Sequence, residues 1–102
     1  MAKVKVLGKN WIVQVRSEKA LQKSYPDCHA IALLDERKIL VRRTSLNYIT
    51  IAHELTHAWL SEMSYYELDL DDHQIEEFFC ELVAKYSEQI IKDAKELCQK
   101  LT

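Results

Sequence analysis

Thr50-Ile51-Ala52-His53-Glu54-Leu55-Thr56-His57-Ala58-Trp59-Leu60 carries a His-Glu-x-x-His pattern at its centre. Leu46, Ile49, Ala52 or His53, Thr56 or His57, and Leu60 recur at helical spacing, and no Gly or Pro interrupts residues 45–64. The spacing predicts a helix that Thr44, Ser45 or Asn47 can cap and that ends near Glu62. Residues four apart share a helix face, so His53 and His57 can reach one small cation. Zinc bonds to imidazole nitrogen run about 2.0–2.1 Å, which such a pair can satisfy. Glu54 then lies beside the cation, where it can take a proton from an attacking water and hand it to a leaving amine. The pattern reads as a Zn²⁺ hydrolase site. Set against this is a plain helix with two ordinary histidines, one capping or solvated.

Outside this segment, the composition describes one folded domain. The chain has 102 residues, 48% apolar and 29% charged, with a net charge of -2 and interleaved signs. That suits a single domain over 1–102 with one modest core. It excludes a disordered chain and shows no basic footprint for direct nucleic-acid binding. No apolar run of about 18 residues is present, so no membrane span is expected. The N-terminus lacks a signal-peptide pattern. Cys28, Cys80 and Cys98 are an odd, widely spaced set, which fits reduced thiols and a cytoplasmic setting.

One Gly and one Pro leave room for much regular structure. Val4 and Val6 alternate with lysines, and Trp11, Val13 and Val15 share one side of a second short strand. Gly8-Lys9-Asn10 is the expected turn between them. Trp11 reads as core. A short helix is expected from Ser17 to about Lys23, ended by Tyr25-Pro26-Asp27. Ala30 to Leu34 and Lys38 to Arg42 form a hairpin around Asp35-Glu36-Arg37. The fold class is therefore α+β: a small, mainly antiparallel N-terminal sheet, the His-Glu-x-x-His helix, and a long C-terminal helix. Asp71 and Gln74 have capping-box spacing at the start of that last helix. Ile75, Phe78, Phe79, Leu82, Val83, Tyr86, Ile90, Ala94, Leu97 and Leu101 follow its period, with a break expected near Ser87.

A catalytic zinc takes three protein ligands. Leu60 and Met63 stand where a metzincin extension would need Gly and His, so that class is excluded. The remaining donors are Asp71, Asp72, His73, Glu76, Glu77 and Glu81. Glu77 is the first choice. It stands four residues before Glu81, which would then orient a ligating His. Glu76 and His73 are the alternatives. Tyr65 and Tyr66, in the acidic loop between the helices, are candidates to bond an oxyanion. Ordinary loop packing is the other reading of both.

With both helices in view, the chain resembles the gluzincin-type zinc peptidases, in particular the ImmA/IrrE-like metallopeptidases and their short phage- or prophage-type relatives. The resemblance rests on Ile39-Leu40-Val41, on the segment Thr50 to Ala58, and on Glu76-Glu77-Phe78-Phe79-Cys80-Glu81-Leu82-Val83-Ala84. Thr56 stands where those proteins usually have Gly, and Phe78-Phe79 where they have Ala-Asn. The resemblance implies a minimal zincin-like domain with endopeptidase activity on a protein or peptide substrate, a regulatory protein among the candidates. Glu54 would be catalytic, His53, His57 and Glu77 the metal ligands, and Zn²⁺ the cofactor. An edge strand can align the substrate. The alternative is a zinc-binding, non-catalytic partner module on the same scaffold.

Overall fold

The computed structural model describes residues 1–17 and 28–102. The short helix expected after Ser17 falls largely on residues 18–27 and lies outside the described residues. Four strands and two long helices follow in order: β1 (Ala2–Val6), β2 (Lys9–Arg16), β3 (Ala30–Leu33), β4 (Lys38–Arg42), α1 (Tyr48–Glu62) and α2 (Asp72–Leu101). Single 3₁₀ turns occupy Arg43–Ser45 and Tyr65–Glu67. No described helix is long and apolar enough to cross a membrane.

The four strands form one mixed sheet in the order β1-β2-β4-β3. Both expected hairpins are present and antiparallel, and the hairpins meet through a parallel β2–β4 pairing. The first turn is Leu7-Gly8 rather than Gly8-Lys9-Asn10, since Val6 pairs with Lys9 and Asn10 already belongs to β2. Both turn residues have positive φ, 48° and 81°, as a two-residue hairpin turn of primed type requires. Gly8 adopts this freely, whereas Leu7 does so at a steric cost.

Trp11, Val13, Ile39 and Val41 are fully buried on one sheet face, where α1 packs with Ile51, Leu55 and Ala58. The side chains of Ala30 and Ala32 face the same way and are small, so α1 can lie against the outer strand β3. Asn47 caps α1 by accepting the Thr50 N–H at 2.9 Å. An ion pair of 2.8 Å between Arg37 and Glu62 ties the β3–β4 turn to the end of α1. The α2 helix starts on the expected Asp71–Gln74 capping box. It then runs unbroken through Ser87, whose hydroxyl bonds back to the Val83 carbonyl inside the same helix. Ile90, Ala94 and Leu97 join the core.

Replacing Leu55 with Ala removes a fully buried side chain at the helix–sheet contact and should cost about 2–5 kcal/mol. Urea denaturation measures this directly, and a loss under about 1 kcal/mol would contradict the packing described.

Candidate active site

The histidines of α1 are one turn apart, and their rings lie edge to face with centroids 5.1 Å apart. Glu54 is the one buried charged residue among the described residues. Burial pushes its carboxyl pKa above the usual 4.5, and His57, His53 and a backbone N–H bond from Ala32 pull it partly back.

The direction of that N–H follows from the sheet. Arg42 donates its N–H to the His29 carbonyl at 3.0 Å, in the register that pairs Ala30 with Val41 and Ala32 with Ile39. Hydrogen-bonded pairs alternate along an antiparallel ladder. Ala30 and Ala32 therefore turn N–H and C=O away from β4, toward the outer side of β3. Among the described residues, the Glu54 carboxyl takes one of these groups, the Ala32 N–H.

A cavity of about 310 Å³ lies against this edge, lined by His29, Ala30, Ile49, Thr50, His53 and Glu54. His29 was not among the sequence candidates. Its Nδ1 stands 3.0 Å from the Ser45 hydroxyl, which fixes the ring and leaves Nε2 for another partner. The pattern around His29 offers no signal, since only the sheet brings the start of β3 beside α1.

Tyr66 is also gathered in, beside His57. Its hydroxyl lies 2.9 Å from His57 Nδ1, so it orients a ring. That contact leaves His57 Nε2 as the nitrogen for an incoming ligand. Burial, with Tyr65 and Glu54, holds the Tyr66 phenol above its ordinary pKa and so in its neutral form. Tyr65 does not reach the histidines. Its ring packs on Phe78 and Phe79 with centroids at 5.0 and 5.4 Å, and thereby seats the loop that carries Tyr66.

The acids of α2 are placed otherwise. His73, Glu76 and Glu77 are exposed on the first turns of the helix. Glu81 bonds Lys85 at 2.9 Å within its own helix rather than orienting a histidine. Among the described residues, no three His, Cys, Asp or Glu side chains stand in a group that could hold a metal ion. Val83 and Ser87 are the α2 residues that line a cavity with His53 together with Leu82, Ile90 and Ile91. At 3.6 residues per turn, Glu76 lies about 20° around the helix from Val83, and Glu77 about 120°. Both stand about 10 Å along the axis from Val83. Compared with known proteins, the chain matches no family profile, no curated protein and no solved structure.

Glu54 gives a pH signature in the metal-free protein. Its folded pKa is raised, so between 4.5 and that value the folded state holds more protons than the unfolded state. Stability therefore falls as pH rises through this window. The Glu54→Gln variant should lack that fall and be at least as stable as wild type at neutral pH. Urea midpoints at several pH values compare the two, and parallel curves would contradict the burial.

Proposed function

We propose that this protein is a metal-dependent peptidase, most simply a zinc endopeptidase. The observation that carries the reading is the buried Glu54 carboxyl, close to the charges of His53 and His57 at the mouth of a cavity bounded by β3. Two imidazoles on one helix face, one oriented from behind by a phenol, suit a divalent cation. His53 and His57 would hold it, with Glu77 or Glu76 of α2 as the third donor. The helix period favours Glu76, which lies nearer the stripe beside His53. Bound there, a Zn²⁺ ion would polarise a peptide carbonyl and bring the pKa of water down toward about 7.

The chain's own residues perform the remaining steps. An extended peptide would add alongside β3 through the outward-facing backbone groups of Ala30 and Ala32, as in strand augmentation. Its scissile carbonyl then lies near His53 and Glu54. Glu54 takes the proton of the attacking water, and its raised pKa brings it closer to the working pH of a general base. The same carboxyl then protonates the leaving amine. Tyr66 keeps His57 in one orientation, and His29, which lines the same cavity as His53 and Glu54, is available to the substrate carbonyl.

Glu54→Gln should lower peptide hydrolysis by at least about 10²–10⁴-fold while the protein stays folded and retains its metal. Wild-type turnover in that variant would remove the mechanism. Elemental analysis of the purified protein should find close to one zinc per chain, lost on substitution of either Glu76 or Glu77 by Ala but not of the other. Zinc bound without any peptide cleavage would favour the non-catalytic partner module. Absence of zinc after incubation with the metal would leave the pattern on α1 a feature of an ordinary helix.

A further inference from the structure

The net charge of -2 conceals a division of the chain. No Lys or Arg occurs between Arg43 and Lys85, whereas nine Asp or Glu residues do. This span holds α1, the loop after it and the first turns of α2. Within it Glu62 pairs with Arg37, Glu81 pairs with Lys85, and Asp71 caps α2. Asp69 is exposed in the loop and makes no hydrogen bond or ion pair among the described residues.

Asp69 lines a cavity of about 280 Å³ together with Tyr65, Tyr66, Leu68, Leu70 and Ile75. Its two aromatic walls are held in place by other residues. Tyr65 packs on Phe78 and Phe79, and the Tyr66 hydroxyl lies 2.9 Å from His57 Nδ1. The two tyrosine rings meet edge to face with centroids 5.7 Å apart. The lining thus combines aliphatic surface, aromatic surface and one carboxylate. Asp69 and the acids around it repel an anion. A purely apolar group would strip water from the carboxylate and offer it no partner. Lysine and arginine side chains match all three kinds of surface. Their methylene stems pack on apolar groups, and their charged heads are drawn to carboxylates and to tyrosine ring faces. Arginine fits better, because its planar guanidinium stacks on a ring while its fork bonds a carboxylate.

We propose that this cavity receives a basic side chain, arginine before lysine, of the polypeptide that binds at His53 and Glu54. The inference rests on the peptidase reading and deepens it, since the substrate is then a basic segment of chain. Tyr66 joins the two places, because it lines the cavity and bonds His57. His57 stands one helical turn from His53, about 5.4 Å along the axis, which an extended chain covers in about two residues. The basic residue therefore lies within about four residues of the bond that is cut. The acids of the span also raise the local concentration of a cationic chain, an effect that salt weakens.

The test exposes the zinc-loaded protein to a randomised peptide pool, with cleavage sites read by mass spectrometry. Arg and Lys should be enriched at least about tenfold at one position near the cut, the size expected of one hydrogen bond to a charged group. Asp69→Lys, a change at an exposed loop position, should turn that preference toward Asp and Glu. Cleavage without such enrichment, or an unchanged preference in Asp69→Lys, would overturn the proposal. A second measurement needs neither metal nor catalysis. N-acetyl-argininamide titrated into the metal-free protein should shift the ring signals of Tyr65 and Tyr66 saturably, and its neutral isostere N-acetyl-citrullinamide should not. Asp69→Asn should weaken binding of the arginine probe about tenfold. If no peptide is cut but the arginine probe binds there, the pocket stands and the peptidase reading falls. If the arginine probe leaves both rings unmoved, the pocket is refuted whatever the cleavage result.

Discussion

Glu54 is buried against a backbone N–H, and much of the molecule is arranged around that contact. A carboxylate loses hydration when it leaves water and is tolerated only with partners. Here the partner is Ala32, and the contact requires α1 to lie close on β3. Ala30 and Ala32 permit the close approach because they carry only methyl groups. Ile51, Leu55 and Ala58 hold the helix there from the core side, so the same residues that stabilise the sheet set the depth of the acid. The raised pKa is therefore a consequence of packing, since the two histidines by themselves would lower it.

The local parts of this fold were legible in the residues. The α2 start follows from the Asp71–Gln74 box, and the α1 start from a set of three candidate caps of which Asn47 is the one used, because a cap acts through hydrogen bonds within three or four residues. Both hairpins follow from alternation and short loops. The parallel contact of β2 with β4 did not follow, since pairing between two hairpins is chosen by the shared core and leaves no mark in either. Leu7 at positive φ likewise runs against its own preference and is forced by the pairing of Val6 with Lys9. Ser87 looked like a helix breaker and is not one, because its hydroxyl found an acceptor one turn back.

The candidate site was half legible. His53, Glu54 and His57 belong together by helical spacing alone, and α1 places them so. Tyr66 could be read either as an oxyanion donor or as loop packing, and its hydroxyl lies on His57, while Tyr65 packs against Phe78 and Phe79. Glu81 has a lysine one turn away, and a partner on the same helix is nearer than any on another. His29 escaped notice because its place depends on strand order, which pattern does not carry.

The outward-facing groups of β3 have one more consequence, for self-association. A sheet edge with free N–H and C=O groups invites other chains to pair with it and so to aggregate. Ala30 and Ala32 turn their N–H and C=O groups to that side, and the Glu54 carboxyl takes the N–H of Ala32. A strand from a second copy seeking a continuous ladder must displace that carboxyl, whereas a short segment bonding at Ala30 need not. The acid thus also acts as a gatekeeper that makes this side of β3 unwelcoming to a fibril.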